Sequence, residues 1–522
     1  MSAFREALRS ASAQAGGSPD VRSWVFVPYD QLTDALGPLS REDPRTLGIL
    51  LVECPAKAGR RPYHVQKLAM VLTNLRHFAV EQARRGVAVR WRVADSYAAP
   101  ILDLAREVGP VRMMEAAERE LRVELAPLVR DGHLEVLPHE GWLTTDADFA
   151  ECGAPPWRMD AFYRQVRRRT GLLMHGGKPE GGRFSFDGDN REPWKGSPAP
   201  PDVPRFEPDA LTQEVVELVQ TQFSDHPGTL DPAALPASLE DAERLWAWAM
   251  ERCLEHFGRY EDAMSTRSSG LFHTRISALV NLHRLLPARV VRDVAGSGAP
   301  LGSREGFVRQ VLGWREFVRH VHRATDGFRT FPQNVLGQET PLPPVYWGGA
   351  PSGLACLDGV VADVWREAYS HHITRLMVLS NVAQLLDVDP RALTDWFWVA
   401  YVDAFDWVVE PNVLGMGTFS VGELMTTKPY VAGSGYVDRM GDACRSCAFH
   451  PKKSCPLTPM YWAYLSRHHG VLSGVDRATR QLLGLNRRSA AKQAWDHAVF
   501  ERVREVLASG AELRPSDLPD AP

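Results

Sequence analysis

The spacing of apolar residues changes partway along this chain, and that change restricts the fold more than any other feature of the sequence. Short apolar segments typical of buried strands occur at 23–29, 47–53, 87–93 and 111–116. Segments with apolar residues at helical spacing accompany them at 64–84, 101–108 and 121–129. This alternation of strands and helices predicts a doubly wound α/β domain, which we place at residues 1–150.

A long stretch without regular periodicity follows this domain. Residues 176–236 are dense in Gly, Pro and charged residues, which is typical of a surface connection, and we assign 151–236 to it. Beyond Pro236 nearly every segment repeats apolar residues at helical spacing, and none shows the alternation of a strand. The sequence therefore predicts an all-α domain over residues 237–522.

Composition and charge narrow the classes of function. The 522 residues include 60 Lys and Arg against 64 Asp and Glu, so any nucleic-acid site must be a local basic patch. Hydrophobic residues make up 44% of the chain, which excludes wholesale disorder. No apolar stretch reaches the length of a membrane span, and the N-terminal segment shows no secretory apolar region. We expect a cytoplasmic monomer without a membrane partner.

Three of the seven cysteines lie close together near the C terminus. Cys444 and Cys447 form a C-x-x-C pair, and Cys455 follows directly before a proline. Two thiolates at that spacing can bind one metal centre and a third can close around it, with Cys356 as the candidate fourth ligand. Four unrelated buried thiols are the alternative interpretation. The spacing leaves both zinc and iron–sulfur open, although the Cys-Pro step favours iron–sulfur.

Two stretches of the helical part suit an anionic, aromatic ligand. Thr274 and Ser277 lie where a predicted helix begins, and hydroxyls and free N–H groups at a helix start suit a phosphate. Arg315 follows Trp314 and adds a cation beside an aromatic ring. Taken singly, each has a simpler explanation, because Ser and Thr often cap helices and Arg usually faces water.

A third stretch combines two histidines with an arginine. In the segment HHITRLM, Arg375 shares a helical face with His371 and His372. Asp403, in the later segment YVDAFDW, has the charge to pair with Arg375. A buried ion pair beside two imidazoles would be a candidate binding site.

Together these stretches resemble the photolyase/cryptochrome flavoproteins, and more specifically their iron–sulfur-containing bacterial branch, the prokaryotic (6-4) photolyases and related bacterial cryptochromes. The resemblance runs from about residue 23 to about residue 465, with the matched segments in the same order. It is carried by Asp30-Gln31-Leu32, WRMDAFYRQVRRRTGLLM (157–174), GGRFSFDGDNR (181–191), HTRIS, GWREF, HHITRLM, PNVLGM and KPYVAGSGYVDRM (428–440).

The resemblance implies a Rossmann-like antenna domain, a long connection, and a helical domain that binds FAD and a [4Fe–4S] cluster. The cluster ligands would be Cys356, Cys444, Cys447 and Cys455. The flavin contacts carried over by position are Tyr260, Thr274, Ser277, Gln310, Arg315, Arg375, Asp403, Glu410 and Asn412. The family carries a carboxylate before its Pro-Asn dipeptide, and we take Glu410 to be that acid moved by one position.

The same resemblance assigns roles in the reaction. His372, supported by His371, would donate a proton to the damaged base. Tyr430 and Tyr436 match the region between flavin and lesion. Trp347 and Trp396 would relay electrons, since aromatic rings can pass an electron in short hops, although core packing is the alternative for either ring. Candidate contacts to DNA phosphates are Arg164, Arg167, Arg168, Arg169, Lys178, Arg183 and Arg191.

In that branch a 6,7-dimethyl-8-ribityllumazine serves as antenna chromophore. The matching contacts here are Asp30, Gln31, Glu53 and Lys67. Tyr29 stands where the branch usually has Gly, and a ring at that position would fill part of the lumazine pocket.

The implied activity is light-dependent repair of (6-4) photoproducts in UV-damaged DNA, by electron transfer from reduced FAD to a lesion flipped out of the duplex. The alternative is a blue-light signalling cryptochrome that keeps FAD and the cluster without repairing DNA. A third interpretation is a helical iron–sulfur DNA-binding protein that has no flavin, which flavin absorbance would exclude.

Overall fold

A computed structural model shows one parallel sheet near the N terminus and helices throughout the rest of the chain. The structure describes residues 2–16, 21 and 23–522. Residues 1, 17–20 and 22 lie outside the described residues; they belong to the predicted first domain and to the N-terminal segment predicted to lack a secretory signal. Within the part of the chain that is described, no helix is both long enough and apolar enough to cross a bilayer.

Five parallel strands form the sheet in the order β3-β2-β1-β4-β5. Their bounds are β1 Ser23–Phe26, β2 Leu47–Glu53, β3 Ala88–Val93, β4 Val111–Met114 and β5 Leu134–Leu137. The order reverses at β1, which pairs with both β2 and β4, as in doubly wound sheets. Every residue of β2 is buried, because an interior strand of such a sheet is covered on both faces.

Four of these strands fall on the predicted segments, whereas β5 was not predicted. Its four residues alternate poorly, since Glu135 and Val136 are both exposed, so no apolar run marks it. The helices of this part are α1 Ala3–Gln14, α2 Pro38–Arg41, α3 Pro55–Ala58, α4 Val65–Arg84, α5 Ala98–Val108, α6 Arg119–Arg130 and α7 Asp146–Ala150.

The segment assigned to the connection contains two substantial helices, α8 Met159–Thr170 and α9 Ala210–Gln222, besides the short hairpin of β6 Met174–His175 and β7 Lys178–Pro179. Helix α8 buries Phe162 and Val166 in the apolar core of the helical part. Helix α9 packs against α1 and α4 instead. The connection therefore contacts both regions of the chain.

Helices account for the rest of the chain. Their bounds are α10 Leu239–Trp248, α11 Leu254–Phe257, α12 Ser277–Asn281, α13 Pro287–Ala295, α14 Leu301–Val308, α15 Glu316–Ala324, α16 Ala355–Glu367, α17 His372–Thr374, α18 Asn381–Leu385, α19 Pro390–Ala400, α20 Asp406–Glu410, α21 Ser434–Met440, α22 Leu457–Arg467, α23 His469–Leu472, α24 Thr479–Asn486 and α25 Ala490–Ala508. π-helical turns occur at Ala249–Cys253, Arg309–Arg315, Arg375–Ser380 and Pro411–Gly417. In the described chain after Pro236, β structure is limited to one bridge between Thr340 and Val388.

Buried polar contacts join the sheet region to the helical part. Lys67 of α4 donates from Nζ to two main-chain carbonyl oxygens of the helical part, those of Trp398 and Ala404, at 2.6 Å each. The imidazole Nδ1 of His283 lies 2.6 Å from the carbonyl oxygen of Asp30, just beyond β1. Because buried polar groups are costly when unpaired, such bonds fix how the two regions meet.

Candidate functional site

A cavity of about 1350 Å3 opens within the helical part of the chain. Three of the four π-helical turns border it, those at Arg309–Arg315, Arg375–Ser380 and Pro411–Gly417. A π turn inserts an extra residue into a helix and often marks a functional site. The predicted residues that line the cavity are Thr274, Ser277, Gln310, Arg315, His371, His372, Arg375, Asp403, Asn412, Tyr430 and Tyr436.

Arg375 and Asp403 form a buried ion pair in the cavity wall. Each guanidinium Nη atom lies 3.0 Å from a different carboxylate oxygen of Asp403, and the Ser277 hydroxyl donates to the same carboxylate at 2.7 Å. Burial alone would raise the pKa of Asp403, but Arg375 and the Ser277 hydroxyl reverse this and hold that pKa below its usual value. The pair is therefore charged at neutral pH.

Arg315 lines the cavity and has one unpaired donor. Its Nε atom donates to the side-chain oxygen of Asn281 at 3.2 Å and its Nη1 atom lies 3.1 Å from Glu316. Its Nη2 atom is buried and has no hydrogen-bond partner among the described residues. Burial lowers the pKa of Arg315 to about 10. A buried guanidinium with a free donor is suited to an anionic ligand such as a phosphate.

Three histidines, rather than the predicted two, meet at the cavity. The rings of His273 and His371 are stacked with centroids 4.5 Å apart, and the ring of His273 meets His372 edge-on at 5.3 Å. Burial lowers the pKa of His372 to about 4, with the charges of Arg309 and Arg375 contributing. His273 was missed in the sequence, although it directly precedes Thr274 in the HTRIS segment.

An aromatic chain leads from the cavity to the surface. The buried ring of Trp396 contacts Phe397 and Tyr401, both of which line the cavity, with centroid distances of 5.0 and 6.0 Å. Trp365 lies 6.2 Å from Trp396 and 6.1 Å from Trp347. Trp347 is 44% exposed. Trp365 thus bridges the two predicted relay residues, and nothing in its sequence context distinguishes it from the other tryptophans.

The four predicted metal ligands line a second, small cavity. Cys356 comes from the first turn of α16, Cys444 and Cys447 from the loop after α21, and Cys455 from the residues before α22. All four are free thiols. Burial raises the pKa of Cys455 to about 12 and that of Cys444 to about 11. These thiols would therefore need a nearby cation to ionise at neutral pH.

The predicted DNA-contacting residues divide into two groups. The cavity lining includes Arg164, Arg168, Arg183 and Arg191. Arg167 is a correction, because it is 1% exposed and donates to three main-chain carbonyl oxygens, so it cannot reach a phosphate. Arg169 pairs with Asp148 at 2.6 Å, and Lys178 is exposed outside the cavity lining.

Two predicted flavin contacts, Glu410 and Tyr260, lie outside the cavity lining. Glu410 does not line the cavity: its carboxylate is buried 2.9 Å from the His322 Nε2 atom and 2.7 Å from an Arg391 Nη atom. Tyr260 is buried behind the cavity wall against Phe272, with ring centroids 5.4 Å apart. Both side chains are already satisfied by the protein.

The predicted antenna contacts are occupied by the protein itself. Both Glu53 carboxylate oxygens accept bonds from Arg76 at about 3.0 Å, Lys67 donates to main-chain carbonyls, and the Gln31 Nε2 atom donates to the carbonyl oxygen of Glu115 at 3.0 Å. These bonds already hold Gln31, Glu53 and Lys67 to the protein, and their contact with an antenna stays a prediction.

Asp30 differs from the other three. It is 2% exposed, and burial raises its pKa to about 7. Its Oδ1 atom is unpaired within the described chain. Beside it the phenol of Tyr29 accepts a bond from Lys57 at 2.6 Å, so the tyrosine ring is held in place where the antenna was predicted to lie.

Comparison with known proteins gives relatives along almost the whole chain. Residues 25–235 match the family described as "Deoxyribodipyrimidine photo-lyase-related protein". A protein named (6-4) photolyase from Agrobacterium fabrum is 32% identical over 513 residues, covering 93% of this chain and 98% of the relative.

Solved structures share the fold. A bacterial class III photolyase from Agrobacterium tumefaciens superposes with a TM-score of 0.53 at 12% identity, covering 97% of this chain and 95% of that one. An archaeal photolyase from Sulfolobus tokodaii, solved with two FAD molecules, gives a TM-score of 0.52 at 14% identity, covering 76% and 83%. At these identities the likeness concerns the fold alone.

Replacing Asp403 by Asn should lower the free energy of unfolding by about 3 kcal/mol at pH 7, because the buried Arg375 loses its counter-charge. Denaturant titration measures this. Since the folded-state pKa of Asp403 is depressed, its stabilising effect is present above the ordinary value near 3.9 and is lost as pH falls. The difference in the free energy of unfolding between the variant and the wild type should therefore become smaller as the pH falls.

Ser277→Ala is the matched control for this prediction. It removes one hydrogen bond to the same carboxylate and should cost only about 1 kcal/mol. Equal unfolding free energies for Asp403→Asn and the wild type at pH 7 would contradict the assignment.

Proposed function

This chain belongs to the photolyase family, as its identity with a (6-4) photolyase over nearly the full length of both proteins shows, and we propose that it is a light-dependent DNA-repair enzyme that acts on (6-4) photoproducts. One observation carries the proposal. A single cavity combines a buried arginine–aspartate pair, an unpaired arginine donor and three histidines. This set provides for an anionic aromatic cofactor and for a proton at its substrate.

The cavity fits FAD together with an extruded nucleotide. Its volume of about 1350 Å3 exceeds the roughly 300–1,000 Å3 of ordinary small-molecule pockets. The guanidinium of Arg315 and the hydroxyl of Thr274, both in the cavity lining, suit a pyrophosphate. Residues that would hold the flavin are Thr274, Ser277, Gln310, Arg315, Arg375, Asp403 and Asn412. When bound, the flavin supplies light absorption and single-electron chemistry.

The Arg375–Asp403 pair sets the electrostatics of the cavity wall. The guanidinium is held by Asp403 and also donates from Nε to the carbonyl oxygen of Ser370 at 2.8 Å. Because it is fixed in this way, its positive charge is ready to stabilise negative charge on a ligand without reorganisation. Asp403 keeps the guanidinium in position and limits its net charge.

His372 is the residue that would give a proton to the lesion. Its side chain is 40% exposed, in contrast to the buried His371, and it lines the cavity. Its pKa of about 4 makes it neutral in the free protein at pH 7. Negative charge brought into the cavity by DNA would raise this pKa, because an opposite charge nearby favours the protonated form. Binding of damaged DNA would thus favour the protonated form of His372, which can donate a proton to the lesion.

Arginines at the cavity would hold the DNA backbone. Arg164, Arg168, Arg183 and Arg191 line the cavity and three of them keep carboxylate partners on the protein surface. Phosphates would exchange with these carboxylates and with bound counterions, so binding should weaken as salt rises. The lesion must leave the helix to enter the cavity, at a cost of a few kcal/mol that is lower for a damaged base.

The cysteine cavity is best suited to a [4Fe–4S] cluster. Tetrahedral zinc with Zn–S bonds of about 2.3 Å requires sulfur atoms about 3.8 Å apart. In the described structure no three of the four sulfur atoms lie within 4.8 Å of one another. A cluster separates its thiolates more widely than a single ion does. The thiol separation therefore supports iron–sulfur over zinc at this site.

His372→Ala should abolish light-dependent repair while leaving the flavin bound. Loss of a general acid typically costs 10²–10⁴-fold, about 3–5 kcal/mol in the barrier. The measurement is recovery of intact bases in an oligonucleotide that contains one (6-4) photoproduct, with flavin absorbance recorded in parallel. His469→Ala, on the exposed helix α23, is the control and should repair normally.

The same assay decides between repair and signalling. A wild-type protein whose flavin is photoreduced but which restores no photoproduct would be a blue-light signalling cryptochrome. Repair at the wild-type rate by His372→Ala would refute the acid role of His372 but not the repair activity.

Trp365→Phe should slow photoreduction severalfold without changing flavin content, because a phenyl ring is much harder to oxidise than an indole. The rate of photoreduction should fall by a similar factor in Trp396→Phe, since both rings lie on one path. Absorbance changes under blue light with an external reductant measure the rate. Trp495→Phe, whose indole bonds to the carbonyl oxygen of Pro519 away from the path, should behave as wild type. An unchanged rate in Trp365→Phe would exclude this route.

Cys455→Ser should lose most of its iron and acid-labile sulfide, because an alcohol is a poor ligand for a cluster that is normally held by thiolates. Metal analysis of the purified protein should give about four iron atoms per wild-type chain. Cys152→Ser, which changes a cysteine outside the cluster cavity, should keep its iron. Stoichiometric zinc without iron in the wild type would contradict the assignment.

A further inference from the structure

Three imidazoles converge at one point of the cavity from two distant parts of the sequence. His273 lies in the loop before α12, His371 directly precedes α17, and His372 is its first residue. One ring nitrogen from each of the three lies within 4.8 Å of the other two. The proposed function uses only His372 in the reaction, so it leaves the convergence of three rings unexplained.

Two of these rings carry buried nitrogens that the protein does not satisfy. His273 is 8% exposed and His371 is 3% exposed. The Nε2 atom of His273 and the Nδ1 atom of His371 are buried without a hydrogen-bond partner in the part of the chain that the structure describes. Leaving a buried polar group unpaired costs about 1–3 kcal/mol, which a ligand bound to either nitrogen would recover.

The charge state of the three rings suits a metal ion. Burial lowers the pKa of His273 to about 3 and that of His371 well below its ordinary value. All three imidazoles are therefore neutral at pH 7, as metal ligation requires. The Asp262 Oδ1 atom lies 3.9 Å from the Nε2 atom of His372 and offsets part of an added positive charge.

Nearby cations are already neutralised. Arg375 is paired with Asp403 at 3.0 Å. Arg309 lies 2.9 Å from Asp187 and 3.3 Å from Glu261. A divalent ion at the histidines would therefore face ion pairs rather than free guanidinium charges.

We propose that His273, His371 and His372 form a binding site for one divalent transition-metal ion of the Zn²⁺ class, separate from the four cysteines. Three imidazoles with a fourth position open to water or ligand is a common zinc arrangement. Bonds of about 2.0–2.1 Å place the ligand nitrogens about 3.4 Å apart. The rings must therefore close slightly, and one of the stacked pair must turn about its broad terminal torsion.

Metal binding has a consequence for the reaction, and this part rests on the proposed function. A nitrogen of His372 that coordinates an ion has no proton to donate from that position, and the ion opposes protonation of the other nitrogen. Zn²⁺ at this site therefore inhibits repair. Mg²⁺ prefers oxygen ligands and does not compete for the imidazoles.

Calorimetric titration of the flavin- and cluster-loaded protein with ZnCl2 tests the site without light or DNA. The expected result is one bound ion per chain, with affinity at least about tenfold weaker in His273→Gln. His469→Gln should bind as the wild type does. Wild-type affinity in His273→Gln, or no binding in the wild type, would overturn the proposal.

Zinc-edge X-ray absorption of the wild-type protein gives a test that needs no variant. Nitrogen ligands with the multiple-scattering pattern of imidazole support the site, and sulfur ligands would place the ion at the cysteines and overturn it. Failure of the proposed function would give a different result: the protein would bind zinc at the histidines but would not repair DNA. In a repairing protein, insensitivity to saturating Zn²⁺ would overturn the inhibitory role.

Discussion

Two opposite charges lie buried side by side in the cavity wall, and the surrounding backbone is arranged to keep them there. The guanidinium of Arg375 and the carboxylate of Asp403 meet through two parallel contacts of 3.0 Å. Removing two charges from water is expensive, and such a pair persists only when its remaining donors and acceptors are satisfied. The Ser277 hydroxyl donates to the carboxylate and the Ser370 carbonyl accepts a bond from the guanidinium. The Asn281 amide donates to the main-chain carbonyl oxygen of Asp403. Three segments of the chain, those of Ser277, Arg375 and Asp403, are therefore fixed relative to one another by one ion pair.

Much of this arrangement could be predicted from the sequence. Short apolar runs located four of the five strands, because strands buried on both faces require continuous apolar residues. The Arg375–Asp403 pairing was predictable as well, since charges within apolar helical segments need partners. What patterns could not supply was the direction of individual side chains. Glu410 and Arg167 match sequence motifs, yet the protein itself bonds both side chains. Glu410 pairs with His322, far away along the chain, and Arg167 donates to main-chain carbonyl oxygens such as that of Leu173.

The π-helical turns explain part of that difficulty. Inferring a helical face from residue spacing assumes 3.6 residues per turn, and a π turn inserts one residue and rotates all that follow. Glu410 ends α20 just before the π turn at Pro411–Gly417. Its neighbour Asn412, within that turn, lines the cavity, whereas Glu410 does not. His273 and Trp365 escaped notice for another reason: their roles come from tertiary contacts between segments distant in sequence, and these contacts leave no periodic signal.

Helix α16 connects the cysteine cavity with the aromatic chain that leads from the large cavity to the surface. It carries Cys356 in its first turn and Trp365 near its last. The indole N–H groups of Trp365 and Trp396 both donate to the carbonyl oxygen of Tyr346 at 2.8 Å, so one acceptor sets the orientation of both rings. The metal centre proposed at the cysteines would anchor the start of α16 and thereby restrain the helix that carries Trp365. If that proposal holds, loss of the metal would also displace Trp365, although no cysteine of the site belongs to the aromatic chain.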